Sequence, residues 1–144
     1  YEVLKEALKM KKIENWYFGL ETALKFNNLT HEYFTITYVI SDKLKRRKEM
    51  DILSYKVKFI AIKEELTKFG IIKGNIPYSD IEKTVLDKIY LVLYRGLDKF
   101  TIKNSIIDYF DECNKKKLIK YAKHYPGTVL RFIESLNNDK KRNN

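Results

Sequence analysis

Turn-forming and cross-linking residues are scarce in this sequence of 144 residues, which contains only five Gly, two Pro and one Cys. So few Gly and Pro exclude an all-β sandwich, which needs a turn about every dozen residues. The lone Cys113 has no partner for a disulfide or for a metal-binding Cys pair, and this favours a reducing compartment, the cytoplasm. The sequence therefore predicts a cytoplasmic protein in which helices dominate.

Long hydrophobic runs are missing as well. Residues 33–41 form one of the longest stretches without a charge, and they reach only about half the length that a membrane-spanning helix requires. Hydrophobic residues still make up 44% of the chain and charged residues 33%. This balance supports a core and a solvated surface, and it excludes wholesale disorder. We expect no transmembrane segment and one compact domain.

The charge of the chain is strongly positive, because 29 Lys+Arg against 19 Asp+Glu give a net charge of 29 − 19 = +10. A surplus of this size raises association with polyanions such as nucleic acids. Lys-biased coding that decorates solvated faces explains the same surplus equally well. The position of the charges, rather than their sum, has to decide between the two.

Residues in the first half predict one amphipathic helix and a small sheet. A helical period places Trp16, Leu20 and Leu24 on one face, and Asn27 follows that segment. Alternating, β-branched and aromatic residues predict two strands that pair antiparallel, with a basic segment in their connection. The predicted elements are a helix over 15–26, strands over 33–40 and 55–62, and shorter strands near 52–53 and 70–72.

Helical patterns fill the second half. Ser79 and Glu82 have the spacing of a capping box, which predicts that a helix starts there. The predicted helix that starts there ends before Gly96. Three more helices are predicted over 104–112, 116–124 and 129–136. The fold class is therefore α+β, with a small, mainly antiparallel sheet in the first half that is packed by an N-terminal helix and a C-terminal helical bundle.

Three segments describe the predicted domain organisation. Residues 1–14 form a connector helix, residues 15–136 form a single α+β domain, and residues 137–144 form a polar tail that we expect to fray. The first residue is Tyr1, and the opening reads as the middle of an element. We expect the connector to lead from a missing N-terminal domain.

Groups suited to catalysis are few. The glycines form no phosphate-binding loop, and His31 and His124 lack the spacing of metal ligands. Adjacent carboxylates at 64–65 and 111–112 point different ways on a helix, so they do not pair across a scissile bond. Cys113 would need His124 as a base, brought near by folding. We predict no catalytic residue, no metal and no cofactor.

Two features suit nucleic-acid binding. A basic run lies beside a predicted strand, where it can follow phosphates; its predicted nucleic-acid-binding residues are Lys43, Lys45, Arg46, Arg47 and Lys48. A charged hairpin connection is the simpler explanation of this run. Aromatic residues that suit base stacking also occur at the periodicity of a hydrophobic core, and these are Trp16, Tyr17, Phe18, Tyr33, Phe34 and Tyr38.

The order of several motifs resembles the AbiEi family, the antitoxins of type IV toxin–antitoxin systems. An aromatic-Gly-Leu-x-Ser/Thr-Ala-Leu pattern lies at 17–24, a threonine-containing strand at 34–37, a basic stretch at 45–47 and a strand at 55–59. A Ser-x-x-Glu/Arg-x-x-hydrophobic-x-Asp helix follows at 79–87, and the helical C-terminus matches 118–136. The sequence departs from the family at Asn27 and Asn28, where relatives favour His-Gly, and no winged helix-turn-helix domain precedes these motifs.

Membership of this family implies a noncatalytic regulator of a phage-defence (abortive infection) system. The missing N-terminal domain would bind operator DNA and repress transcription. The domain described by this sequence would neutralise a nucleotidyltransferase-like toxin, without a stable complex, and its basic residues would add DNA contact. The resemblance implies no membrane partner.

Two other classes of function stay open from the residues alone. The first is a nucleic-acid-acting enzyme, a nuclease or nucleotidyltransferase relative. This alternative gains support if two or three carboxylates gather in a cleft near the basic run. The carboxylates to be located are Glu21, Asp51, Glu64, Glu65, Asp80 and Asp87. A purely structural or oligomerising module is the other alternative.

Overall fold

The computed structural model describes residues 1–30, 34–43, 49–95 and 107–143. Its α-helices are α1 (Glu2–Met10), α2 (Leu20–Phe26), α3 (Ile81–Arg95), α4 (Lys115–Ala122) and α5 (Gly127–Asn143). Its strands are β1 (Trp16–Phe18), β2 (Ile36–Ser41), β3 (Met50–Ile52), β4 (Tyr55–Ala61), β5 (Ile71–Ile72) and β6 (Tyr78–Ser79). Short 3-10 helices cover Glu64–Thr67 and Ile107–Glu112. The predicted α+β class is confirmed.

The six strands form one mixed sheet in the order β3-β4-β2-β1-β6-β5. β2 and β4 pair in parallel along six residue pairs, from Ile36 opposite Lys56 to Ser41 opposite Ala61. The predicted antiparallel pairing of these two strands is therefore wrong. The chain reverses instead between β3 and β4, which are antiparallel and joined by Leu53 and Ser54. Both turn residues have positive φ, 48° and 67°, as a tight type I′ hairpin requires.

Residues 16–18 form a strand, although the helical period predicted that they begin a helix. β1 is held on both sides, antiparallel to β2 and parallel to β6, with Phe18 opposite both Val39 and Tyr78. The backbone of Gly19 is still extended, and α2 begins only at Leu20. Three aromatic residues in a row suit a strand, and pairing with two neighbours outweighs the local helical pattern.

The sheet separates two hydrophobic clusters. Because side chains alternate along a strand, Phe18 and Val39 pack on one face with Leu4 and Leu8 of α1. Tyr17 and Ile40 belong to the other cluster, which contains α3, α4 and α5. The predicted connector helix therefore supplies part of the core, since Leu4 and Leu8 are fully buried.

Both ends of the helical half differ in detail from the prediction. Ser79 belongs to β6, and Asp80 caps α3 by accepting a hydrogen bond from the Lys83 N–H at 2.8 Å. The capping-box prediction is therefore wrong by one residue at its first position, and Glu82 bonds the N–H of Asn114 instead. At the other end, α5 continues to Asn143 through the predicted tail. Residues 104–106 of one predicted helix lie outside the described part of the chain.

None of the helices in the described ranges is long and apolar enough to cross a membrane.

The contact between Gly70 and α3 gives the first prediction. Gly70 has φ +70°, and a Cβ there would lie 2.8 Å from the Cβ of Lys83. We expect Gly70→Ala to lower the free energy of unfolding by about 2–4 kcal/mol, because left-handed strain and overpacking add. Urea denaturation followed by circular dichroism measures the loss.

Gly74 is the matched control, because a Cβ there would meet nothing within 4 Å. Gly74→Ala should change the free energy of unfolding by no more than about 1 kcal/mol. Equal losses in the two variants would contradict the close approach of Gly70 to α3.

Candidate functional site

Of the five residues predicted to bind nucleic acid, the structure describes Lys43, which is exposed two residues after the end of β2. Lys45, Arg46, Arg47 and Lys48 lie outside the described residues. Hydrogen bonds through Ser41 show where Lys43 lies. Its N–H donates to the hydroxyl of Ser41 at 3.3 Å, and that hydroxyl donates to the carbonyl of Glu14 at 3.5 Å. The basic run therefore begins beside the segment that connects α1 to β1.

A pocket rich in lysine lies at this place. It has a volume of 350 Å³ and is lined by Lys5, Lys9, Lys12, Ile13, Glu14 and Trp16. We call it the lysine pocket. Three lysines against one glutamate make its lining basic. Ser41, which holds Lys43, is the residue opposite Trp16 in the sheet, so the pocket and the start of the basic run adjoin.

The spacing of α1 puts two of these lysines on one side of the helix. Lys5 and Lys9 are four residues apart, so their side chains lie above one another. Lys12 lies beyond the end of α1, in a turn where its φ is 58°. Lys5 donates to the carbonyl of Asn75 at 2.5 Å. Lys9 and Lys12 are exposed, and within the described residues neither ammonium group has a hydrogen-bond or ion-pair partner. Two cations are thus available to an external anion.

Trp16 gives the pocket an aromatic wall. Its ring is half-buried and meets the edge of Phe18, with centroids 5.1 Å apart and planes at 75°. Tyr17 and Phe18 are fully buried, which confirms the core interpretation for these two aromatic residues. In a nucleic acid, the phosphates would contact the lysines, and a neighbouring sugar or base would pack on the exposed part of the indole ring.

A second polar assembly lies inside the molecule, between β1, α3 and the segment after α4. The Lys83 ammonium group donates to Asp87 at 2.5 Å, to the Tyr125 hydroxyl at 2.9 Å and to the Tyr17 hydroxyl at 3.2 Å. Asp87 also accepts from both tyrosine hydroxyls at 2.6 Å. We call these four residues the Lys83 cluster. All three ammonium protons and both carboxylate oxygens are used.

The surroundings of the Lys83 cluster exclude water. Lys83 and Asp87 have no exposed side-chain surface, and the ammonium group lies 4.8 Å from the ring centroid of Phe69. Burial lowers the pKa of Lys83, an effect that Asp87 opposes. Burial, together with the charge of Asp87, raises the pKa of Tyr17 and of Tyr125 well above the usual value. The cluster therefore connects β1, α3 and the segment after α4.

A half-exposed group of polar residues continues this assembly towards α4. Lys117 forms ion pairs with Asp80 at 3.0 Å and Glu82 at 3.1 Å, and Tyr121 donates to Asp80 at 2.8 Å. Although partial burial works against it, hydrogen bonding to Asp80 and Glu82 raises the pKa of Lys117. These contacts fix α4 against the start of α3.

Of the six carboxylates that an enzyme could use, four form ion pairs, and two of these four, Asp80 and Asp87, both lie at Lys83. Glu21 binds Lys88 at 2.7 Å, and Glu64 lies 3.8 Å from Lys68 on the surface. Asp80 and Asp87 both bind Lys83. Asp80 accepts a hydrogen bond from its backbone N–H, and Asp87 forms an ion pair with its ammonium group. Asp51 lies in the exposed edge strand and Glu65 in the 3-10 helix. The four carboxylates in ion pairs thus bind lysines of the chain itself.

Cys113 and His124, the other candidate catalytic residues, are a buried thiol and a stacked ring. Burial, followed by the charge of Glu82, raises the pKa of the Cys113 thiol to about 12, so the thiol stays protonated at neutral pH. The exposed His124 ring stacks on Phe69, with centroids 4.5 Å apart. His31 lies outside the described residues. In the ranges that the structure describes, no group of three or more His, Cys, Asp or Glu is placed to hold a metal ion.

No protein-family model matches the chain, and no curated protein is significantly similar to it. A proposal for its function therefore depends on the residues of the lysine pocket and on the motif resemblance.

Sequence reasoning did not find the lysine pocket or the Lys83 cluster. The signal for the cluster was present, because Lys83 and Asp87 are four residues apart in a helix that also carries a long apolar face. Opposite charges at this spacing ordinarily indicate a solvent-exposed pair. The sequence predicts a polar connector over residues 1–14, whereas in the structure Leu4 and Leu8 fix α1 on the sheet.

The Lys83 cluster gives the second prediction. Lys83→Met and Asp87→Leu should each lower the free energy of unfolding by about 3–5 kcal/mol, because each leaves one buried charge without its partner. The double variant should cost at least about 2 kcal/mol less than the sum, because it removes both charges together. Urea denaturation of all four proteins measures this coupling.

The exposed pair of Glu64 and Lys68 serves as the control cycle. Its side chains are 68% exposed, so the corresponding variants Glu64→Leu and Lys68→Met should show a coupling below about 0.5 kcal/mol. Additive losses at Lys83 and Asp87 would contradict a tightly coupled buried pair.

Proposed function

We propose that this chain is a noncatalytic regulatory domain that binds DNA through its basic surface. More specifically, we propose that it is the antitoxin domain of an AbiEi-type regulator in a type IV toxin–antitoxin system. In that role it counters a nucleotidyltransferase-like toxin without a stable complex and adds DNA contact to a winged helix-turn-helix domain.

The observation that carries the DNA-binding part is the meeting of the lysine pocket with the start of the basic run. Lys9 and Lys12 project unpaired cations within the described structure, and Ser41 connects Lys43 to the backbone beside Trp16. Lysine-to-phosphate contacts are independent of sequence and release counterions. The surface therefore suits the backbone of DNA more than the reading of bases.

One detail of the backbone supports the AbiEi part. The family favours His-Gly at the positions of Asn27 and Asn28, and Asn28 has φ 60°. This left-handed conformation suits Gly, and Asn is one of the few other residues that adopt it readily. The departure from the family pattern at this turn thus keeps the same backbone requirement.

Burial of the reactive side chains supports a noncatalytic role. The side chains of the Lys83 cluster are buried, and burial raises the pKa of the buried Cys113 thiol to about 12. Perturbed pKa values at an open cleft point to catalysis, whereas those of Lys83, Tyr17 and Tyr125 belong to a buried cluster that connects β1 with α3 and the segment after α4.

The lysine pocket gives the third prediction, which measures binding to a short labelled DNA duplex of arbitrary sequence over a range of salt concentrations. The double variant Lys9→Glu/Lys12→Glu should bind at least about tenfold more weakly, and its log-log salt slope should fall by about two units. Reversing Lys45, Arg46 and Arg47 to Glu should lower the slope by about two to three units.

Lys116→Glu/Lys120→Glu is the matched control, because both lysines are exposed on α4 and the change in net charge is identical. This variant should keep nearly the full slope. If both double variants lose the same amount, the net charge of the chain determines binding and the lysine pocket is not a DNA surface.

Co-expression with the toxin encoded beside its gene gives the fourth prediction. The chain should restore growth of cells that express the toxin, and Lys9→Glu/Lys12→Glu should restore it equally, because the antitoxin activity does not depend on DNA contact. Continued growth arrest in the presence of soluble, folded chain would remove the antitoxin assignment and leave the DNA-binding test unaffected.

A further inference from the structure

An apolar groove lies on the other side of α1 from the lysine pocket. It has a volume of 650 Å³, and its walls are α1 and the end of the β3–β4 hairpin. Three of its lining residues are unusually exposed for apolar side chains: Val3 at 61%, Met10 at 83% and Leu53 at 56%. Exposed apolar side chains gathered in one groove indicate an interaction surface.

The apolar residues of α1 in this groove have the spacing of a coiled-coil seam. Val3, Ala7 and Met10 follow one another at intervals of four and three residues, as the a and d positions of a heptad do. Leu4 and Leu8 belong to a different face, because they are fully buried against the sheet. The helix thus has one apolar face for its own core and a second that is exposed.

Charged residues on both borders of the seam determine what fits it. If Val3 and Met10 occupy d positions, Ala7 occupies a and Glu6 occupies g. Lys11, the C-cap residue whose N–H still bonds the carbonyl of Ala7, then follows at the e position. In a parallel pair of helices, a g residue meets the e residue five positions later on the partner. Glu6 of one helix then faces Lys11 of an identical helix, and symmetry forms the pair twice.

We propose that this groove binds the α1 helix of a second copy of the chain, parallel to the first about a two-fold axis. The apolar seams of Val3, Ala7 and Met10 pack against each other, with Leu53 at the side. An antiparallel pair is disfavoured, because it would place g beside g and thus Glu6 beside Glu6. Asp51 on the opposite wall is the residue that pairs with Lys56 in the hairpin.

The contact is small, and this sets the expected strength. α1 has nine residues, so the seam has only three layers, and interfaces below standard size are weak and transient. We expect a concentration-dependent equilibrium between monomer and dimer in sedimentation-equilibrium experiments on the chain at low salt.

A test by charge exchange gives the fifth prediction. Glu6→Lys and Lys11→Glu should each raise the dissociation constant of the dimer at least about fivefold, because each places like charges across the seam. The double variant should restore the original value, and an equimolar mixture of the two single variants should form the mixed dimer. Recovery of this kind requires contact between these two positions on different copies.

Met10→Glu tests the apolar part, and Ile119→Glu on α4 is its control, since Ile119 is also exposed, at 40%. Met10→Glu should abolish the dimer and Ile119→Glu should retain it, with unchanged circular dichroism for both. A monomer at all concentrations up to about 1 mM, or a dimer that the double exchange does not restore, would overturn the proposal. The result is independent of DNA binding and of antitoxin activity.

Discussion

The buried ion pair between Lys83 and Asp87 is the interaction on which the rest of the structure depends. Placing two charges inside a protein costs several kcal/mol per ion unless each is fully hydrogen-bonded. Tyr17 from the sheet and Tyr125 from the segment after α4 supply the remaining hydrogen bonds. The pair is therefore satisfied only when β1, α3 and the C-terminal helices are all in place.

This requirement also fixes the orientation of α3. The helix is buried along most of its length and could turn about its axis at little cost if all its contacts were apolar. Lys88 binds Glu21 of α2, and Asp80 binds Lys117 and Tyr121 of α4. Polar partners on three different elements allow one rotation of the helix, because any other rotation leaves buried charges unpaired.

Much of the architecture could be predicted from the sequence where local patterns are strong. Alternation at Tyr55–Ala61 and the helical period at Ile81–Arg95 identified β4 and α3 nearly to the residue. The helical period that predicts a helix over 16–18 is misleading, because pairing with β2 and β6 decides the structure of these residues. The parallel pairing of β2 with β4 was missed because strand order depends on contacts distant in sequence.

The site could be predicted less well than the fold, because its residues belong together only in three dimensions. The basic run was visible as a run, whereas the lysine pocket joins the side of α1 to Trp16, and the Lys83 cluster joins positions up to 108 residues apart. Nothing in one-dimensional spacing separates the α1 lysines, which face solvent, from Lys83, which is enclosed.

The two exposed sides of α1 limit how DNA binding and self-association combine. With 3.6 residues per turn, Lys5 and Lys9 lie about 150° around the helix from the seam of Val3, Ala7 and Met10. A parallel dimer through the seam therefore turns the two lysine pockets outward, on opposite sides. One straight duplex could not reach both, so under the proposed function each copy would bind DNA independently. The proposed dimer would then connect two DNA segments rather than hold one more tightly.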